Sequence, residues 1–153
     1  MKVIVDVQQA VDAAVPSKQQ FHLWASAALA ELAEDCELSI RLVSEAESAE
    51  LNGTYRARNT PTNVLSFPFE SPIPLTPRLL GDLVLCVAVV EREAAEQNKK
   101  VEAHWAHLLV HGCLHLLGYD HLEDDEAERM EALEVRILQQ LGIDNPYIEQ
   151  RVT

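Results

Sequence analysis

The sequence predicts an α+β fold: a single domain over residues 1–153, with a small mixed β-sheet covered by helices and a central helix that carries histidines. Strand and helix patterns alternate in the first part of the chain, and helix patterns gather at its end, an order typical of such domains. Residues 101–117 are apolar on almost every side, which indicates a helix buried at the centre. A chain of 153 residues, 48% of them hydrophobic, is long enough to bury one sizeable core.

The chain opens with a strand and a helix. Residues 2–7 (KVIVDV) are short and mostly β-branched, as expected of a strand. Pro16 and Ser17 come just before a run in which large apolar residues recur at helical spacing, so a helix is predicted to begin there.

The second strand and second helix follow. Residues 37–43 (ELSIRLV) alternate polar and apolar over their centre and are predicted to form a half-buried strand. Ser44, followed three residues later by Glu47, predicts a capping box that opens a helix reaching about Tyr55. The chain is rich in proline from Pro61 to Pro77, and residues 64–67 (VLSF) interrupt this stretch. The proline-rich surroundings favour a strand at the edge of the sheet.

The second half of the chain is predicted to be mainly helical. After Gly81 the run DLVLCVAVV suits a buried strand, and a charged helix pattern takes over at about Val89. The central helix is predicted over 101–117. An amphipathic helix then follows, with acids in its first turn and Gly142 after its end.

Composition excludes several classes of protein. A net charge of -13 argues against a general electrostatic grip on nucleic acid, so any RNA-binding surface must be local. The three cysteines are widely spaced and form no C-x-x-C pair, which favours a reducing cytoplasm over a disulfide framework or a thiolate metal site. We read no export signal at the N-terminus, and the longest apolar run is too short to span a bilayer.

The segment HGCLHLLGYDH predicts a metal site. His111 and His115 are four residues apart, so they lie on one face of the central helix and can reach one ion. His121 would lie ~9 Å further along a continuous helix. Gly118 is the residue type that ends a helix in a left-handed conformation and lets the chain turn back. The spacing therefore predicts a three-histidine site with a fourth position open to water, as in catalytic zinc centres.

Other histidines leave alternatives open. Any single histidine is more often an ordinary core or surface residue. His107 and His111 are also four residues apart, but no glycine turn follows that pair to bring in a third ligand, so His104 and His107 are expected near the site or at the surface. The spacing matches that of metzincin proteases except that their glutamate base is replaced by Gly112, which counts against the usual zinc-protease mechanism.

Read with LNGTYRARNTPTNVLSFPFE and LLGDLV, the histidine segment resembles the YbeY family of bacterial rRNA maturation factors. The resemblance covers most of the chain. It implies a zinc-dependent endoribonuclease that cleaves single-stranded RNA, processes the 3′ end of small-subunit ribosomal RNA and serves ribosome quality control. It also implies one zinc ion on His111, His115 and His121, with ribosomal RNA and the small ribosomal subunit as partners.

The resemblance assigns the family's functional arginine to Arg56, whose planar charged fork suits a phosphate. Arg58 is a second candidate. Asn63 stands where many relatives have an aspartate, and an amide cannot act as a base or an anionic ligand. Asp82 and Asp120 are candidates to orient a ligating histidine.

We expect a local positive strip beside the ion. It would comprise five basic residues: Arg41, Arg56, Arg58, Lys99 and Lys100.

Two other functions fit the residues. One is a zinc-dependent hydrolase of amides or small molecules, suggested by the metzincin-like spacing. The other is a non-catalytic ribosome-associated factor in which zinc joins two helices. A fourth protein ligand would favour this last function, because it would fill the position that a catalytic ion keeps open.

Overall fold

A four-stranded mixed sheet forms the centre of the computed structural model, which describes residues 2–119 and 123–147. Its strands are β1 (Val3–Gln9), β2 (Cys36–Val43), β3 (Val64–Pro68) and β4 (Arg78–Cys86). They are arranged in the order β1-β2-β4-β3. β1, β2 and β4 are parallel, and β3 runs antiparallel to β4 at the edge. The predicted mixed sheet and the edge position of β3 are confirmed.

In the part of the chain that the structure describes, five α-helices cover the sheet: α1 (Lys18–Ala28), α2 (Glu45–Arg56), α3 (Val87–Glu96), α4 (Val101–Leu116) and α5 (Asp124–Gln140). A 3-10 turn, Ala30–Leu32, follows α1. In the described ranges, none of the helices combines the length and apolar character needed to cross a membrane. The α+β class predicted from the sequence is confirmed.

Serine caps begin α1 and α2, as predicted. Ser17 accepts a hydrogen bond from the backbone of Gln20, whose side chain accepts one from the backbone of Ser17, a complete capping box. At α2 only half of the predicted box forms. Ser44 accepts from the backbone of Glu47 at 3.2 Å, but the Glu47 carboxylate instead binds the guanidinium of Arg41.

The bounds of β4 differ from the prediction because the strand contains a bulge. Glu37 of β2 pairs with Leu79, and the next residue, Leu38, pairs with Gly81. The β4 residue between Leu79 and Gly81 therefore has no partner in β2, which is a β-bulge. Because pairing continues on both sides of this bulge, the strand begins before the glycine. Gly81 has φ +136°, and a Cβ atom there would lie 2.2 Å from the Phe67 carbonyl oxygen. Only glycine fits this position, and it lies inside the strand, which the sequence predicted to begin after it.

Alternation along β4 divides the apolar residues between two faces. Leu83 and Leu85 face the main core beneath α1, α4 and α5, while Val84 and Cys86 face a smaller cluster with Leu51 of α2. Cys86 also ends the strand, so α3 begins two residues earlier than predicted.

Helix α4 is the central helix, as predicted. It contacts α1, α3 and α5 as well as β3 and β4. Trp105 is buried and packs edge-on against Phe21 of α1, with ring centroids 5.9 Å apart. Cys113 points into the core, where burial raises the pKa of its thiol to about 12. The remaining side of α4 carries the histidines.

Candidate metal centre

Four histidines follow one stripe of α4 at helical spacing: His104, His107, His111 and His115. Successive ring centroids are 6.3, 6.4 and 4.5 Å apart. The stripe begins at the buried end, where His104 is 3% exposed, and reaches a pocket at His111 and His115. The closest pair is therefore the one that the sequence predicts as ligands.

His111 and His115 present their Nε2 atoms to each other at 3.0 Å. Two imidazole nitrogens at this separation are close enough to share one zinc ion, since each Zn–N bond is about 2.1 Å long. The pair fits the predicted metal, because uncharged imidazole is a preferred zinc donor.

Glu134 of α5 orients His111. Its carboxylate is fully buried and accepts a hydrogen bond from Nδ1 of His111. This contact favours a proton on Nδ1, which in the neutral ring leaves the lone pair on Nε2. A carboxylate behind the histidine is the usual support of a zinc ligand. This second contact shows that the residues present suit a metal ion.

The charge of Glu134 is stabilised by its neighbours. Burial raises the pKa of this carboxyl, but the N–H and O–H groups of His107, His111 and Tyr147 that face it outweigh burial and lower the pKa to about 2. Tyr147 donates its hydroxyl to Oε2, and His107 lies 3.6 Å from the same oxygen. Glu134 is therefore an anion near neutral pH.

Sequence reasoning missed Glu134, although α5 holds a signal for it. Met130, Glu134, Ile137 and Leu138 are the buried residues of the helix, so an acid occupies a place where helical periodicity calls for an apolar residue. An acid at such a position requires a partner, because an unpaired buried charge is costly.

The sequence instead suggested Asp82 and Asp120 as orienting acids. Asp82 accepts a hydrogen bond from Ser39. Asp120 lies outside the described residues.

The turn predicted at Gly118 is present. Helix α4 ends at Leu116, and Gly118 has φ +100°. The amide of Gly118 donates to the His115 carbonyl at 3.0 Å, and the amide of Tyr119 donates to the Leu114 carbonyl at 3.1 Å. This pair of bonds is the Schellman motif. The chain leaves the helix axis one turn after His115, as the three-histidine prediction requires.

The third predicted ligand, His121, lies outside the described residues. Within residues 2–119 and 123–147, no three side chains of the His, Cys, Asp or Glu type come together as a metal-binding group. His111 and His115 are the predicted ligands that fall in these ranges, and the complete set stays a prediction.

A pocket of about 600 Å³ opens beside the two histidines. One wall is the edge strand β3, the other is the end of α4 with the glycine turn, and two polar side chains complete the lining. Its residues are Arg56, Asn63, Val64, Leu65, Ser66, Pro68, His111, His115, Gly118 and Tyr119. The pocket thus contains three of the four predicted site residues.

Arg56, at the end of α2, is held in place by β3. Its Nη2 donates to the Ser66 carbonyl at 2.9 Å, its Nη1 lies 3.3 Å from the Tyr55 carbonyl, and its guanidinium lies 5.4 Å from the centroid of the Phe67 ring. A guanidinium has five N–H donors. Two are engaged by these carbonyls, which leaves three to bind a ligand in the pocket.

Asn63 connects the pocket to a half-buried acid, Glu93. Its Nδ2 donates to Glu93 of α3 at 3.1 Å, and its Oδ1 accepts from the backbone of Val64 at 2.6 Å. His104 Nε2 lies 2.9 Å from the same carboxylate. Burial lowers the pKa of His104, and the hydrogen bond to Glu93 opposes this effect. An amide suits position 63 because it can donate to Glu93, whereas an ionised aspartate there would repel it.

Gly112 of α4 packs tightly against the sheet. A Cβ atom there would lie 2.8 Å from Cδ2 of Leu83, a fully buried residue of β4. The glutamate that serves zinc proteases at this position would therefore press on Leu83 in this fold. The sequence departure noted at Gly112 has a packing cause.

The predicted positive strip is not continuous. Arg41 forms an ion pair with Glu47. Lys99 and Lys100 border a different cavity, beside His104 and His107. Among the described residues that line the histidine pocket, Arg56 is the one cation.

Comparisons with known proteins identify the fold and the family. The solution structure of the Thermotoga maritima protein TM1509 matches with a TM-score of 0.60 at 24% sequence identity, over 91% of this chain and 92% of that chain. That likeness concerns the fold. The family model described as endoribonuclease YbeY matches residues 5–142, a range that includes the histidine segment, Arg56 and Glu134. The chain therefore belongs to the YbeY family of endoribonucleases.

Proposed function

We propose that this protein is a zinc-dependent endoribonuclease that cleaves single-stranded RNA during ribosomal RNA maturation in the cytoplasm. In this proposal His111, His115 and His121 hold one zinc ion, and Arg56 binds the phosphate that is cleaved. The RNA is the 3′ end of the small-subunit ribosomal RNA, and the same activity serves ribosome quality control on the small subunit.

The paired histidines with Glu134 behind them are the observation that carries the metal part of the proposal. The Nε2 atoms are 3.0 Å apart, and a buried carboxylate fixes the tautomer of one ring. When bound, zinc lowers the pKa of water to about 7 and polarises an oxygen of the substrate. The protein contributes by holding two imidazoles in place before the ion arrives.

Arg56 supplies the phosphate contact. Because the Ser66 carbonyl and the Phe67 ring already hold the guanidinium, little side-chain freedom is lost when a phosphate binds. Its remaining donors can form paired hydrogen bonds to two phosphoryl oxygens. These bonds strengthen as negative charge develops on those oxygens during cleavage.

The apolar part of the pocket strengthens this contact. Val64, Leu65 and Pro68 line the wall opposite the histidines. A substrate seated there displaces water from around Arg56, and a charge pair in a drier site attracts more strongly.

Family membership supports RNA as the substrate class. The preference for single strands, the ribosomal site of action and quality control rest on the sequence resemblance. A net charge of -13 gives the rest of the surface no general attraction for RNA, which would limit binding to the pocket.

The two alternatives differ in their support. A zinc hydrolase of amides would lack the usual glutamate base, because its position is taken by Gly112, which packs against Leu83. The substitution Arg56→Ala distinguishes a nuclease from a non-catalytic factor with a structural zinc ion. It would lower RNA cleavage by a nuclease, but it would leave a structural zinc site unchanged.

The test compares wild type with Arg56→Ala and His115→Ala on a single-stranded RNA and on the DNA of the same sequence, with and without chelator. Arg92→Ala is the matched control, since Arg92 is a half-exposed arginine paired with Glu45 on another part of the surface. We expect cleavage of RNA by wild type and Arg92→Ala, loss of cleavage with chelator, and a decrease of about 100-fold or more in Arg56→Ala.

Zinc binding is measured on the same proteins. We expect Arg56→Ala to bind zinc like wild type and His115→Ala to bind it much more weakly. Equal RNA cleavage by all four proteins would reveal a contaminating nuclease and refute the assignment. Zinc binding without any cleavage would favour the non-catalytic alternative.

A further inference from the structure

Tyr147, in the segment after α5, places its hydroxyl between His107 and Glu134. The hydroxyl donates to Oε2 of Glu134 and accepts from Nε2 of His107 at 3.1 Å. The ring packs edge-on against the His107 imidazole, with centroids 5.3 Å apart. Although the residue as a whole is 44% exposed, its polar end is thus built into the base of the histidine stripe.

Three hydrogen-bond donors approach the two carboxylate oxygens of Glu134. His111 binds Oε1, and both Tyr147 and His107 approach Oε2. His107 is held at 3.6 Å from that oxygen, beyond hydrogen-bond distance, because it donates to the tyrosine hydroxyl instead. Nδ1 of His107 has no hydrogen-bond partner among the described residues, so the tyrosine supplies the hydrogen bond of that ring.

We propose that Tyr147 is a positioning residue of the metal centre: by occupying Oε2 of Glu134 and holding His107 away, it keeps Oε1 aligned with Nδ1 of His111. This inference rests on the proposed function, since it takes His111 as a zinc ligand. It assigns a role in the site to a residue beyond the last helix. The hydroxyl acts through Glu134 and His111 and does not touch the substrate.

Removing the hydroxyl would free the carboxylate to turn. His107 would then reach Oε2, and the carboxylate would divide its hydrogen bonds between two rings. His111 would lose the fixed orientation and the single tautomer that present its Nε2 lone pair. Loss of a support behind a metal-binding histidine usually weakens metal binding by about 10- to 100-fold, and we expect about 10-fold because Glu134 itself remains.

The experiment uses Tyr147→Phe in the full chain, which keeps the ring and its packing on His107. The control is Tyr55→Phe, which removes the hydroxyl of a tyrosine that is 58% exposed and packs on Phe67. Glu134→Gln and His115→Ala complete the set. Zinc affinity is measured by competition with a chelator. The tautomer of each histidine is read by ¹⁵N NMR on metal-free protein, which does not depend on activity.

We expect His111 of wild type and Tyr55→Phe to carry its proton on Nδ1, and zinc affinity to be equal in the two. In Tyr147→Phe we expect a mixture of His111 tautomers and an affinity about 10-fold lower.

Wild-type affinity and a single tautomer in Tyr147→Phe, with both changed in Glu134→Gln, would overturn the inference alone. Zinc binding unaffected by His115→Ala would overturn the proposed metal site itself.

Discussion

Replacing Gly81 by alanine tests how the bulge in β4 shapes the pocket. The added Cβ would lie 2.2 Å from the Phe67 carbonyl oxygen, 3.0 Å from Cα of Pro68 and 3.1 Å from Cδ2 of Leu116. The first two atoms belong to the backbone of β3 and the third to the last residue of α4. The methyl group would therefore push apart the strand and the helix that form the two walls of the pocket.

The cost has two parts. A side chain at φ +136° carries backbone strain of about 1–3 kcal/mol, and overpacking against atoms that cannot rotate away costs about 1–3 kcal/mol. Together these predict a decrease of about 2–6 kcal/mol in the free energy of unfolding. Movement of β3 also shifts the Ser66 carbonyl that holds Arg56, so RNA cleavage by the folded fraction should fall by up to about 100-fold.

Gly142→Ala is the matched control. Gly142 also has a positive φ, +78°, but apart from its own chain neighbours no atom of the described residues lies within 4 Å of the added Cβ. Its cost should be the strain alone, about 1–2 kcal/mol. Urea unfolding of the three proteins gives the comparison. A Gly81→Ala protein no less stable than Gly142→Ala, with normal cleavage, would refute the steric reasoning.

Three further predictions follow from buried groups. The pKa of Glu134 falls from 4.5 to about 2 on folding, so its charge stabilises the fold by at most about 3 kcal/mol above about pH 4.5, and this stabilisation is lost as the pH falls through about 2. In urea unfolding of metal-free protein, the difference in unfolding free energy between wild type and Glu134→Gln should therefore shrink from pH 5 to pH 3. A constant difference would contradict this expectation. Gly112→Glu should lose several kcal/mol of stability against Leu83 and gain no peptidase activity; a stable, active peptidase would revive the amide-hydrolase alternative. Cys113 should resist a thiol reagent until urea unfolds the protein, because its pKa is raised to about 12 by burial; rapid labelling of this thiol at pH 8 in folded protein would show that the core opens there.

The sequence predicted the parts of the site that depend on local geometry. Helical spacing brings His111 and His115 together, and a glycine three residues later ends the helix, because both effects act within a few residues of the chain. The bounds of β4 were harder to predict, because a glycine such as Gly81 suggests a turn until the backbone of β3 is placed beside it.

The contacts behind the predicted ligands could not be read from spacing. Glu134 and Tyr147 meet His111 because α5 and the segment after it pack against α4, a tertiary contact that leaves no motif. Glu134 could have been identified as the one acid among the buried positions of an amphipathic helix. Asn63 and Glu93 illustrate the same limit, because their hydrogen bond depends on how the loop before β3 meets α3.

The lone arginine of the pocket lining bears on how RNA binding should respond to salt. Each phosphate neutralised by a cation releases counterions, and for single strands the logarithm of the affinity falls by roughly 0.7 per phosphate for each tenfold rise in salt. With Arg56 as the one cation among the described lining residues, few counterions would be exchanged. RNA held at this pocket would stay bound at salt concentrations that release it from basic RNA-binding proteins, and its affinity would instead depend on the metal and on shape.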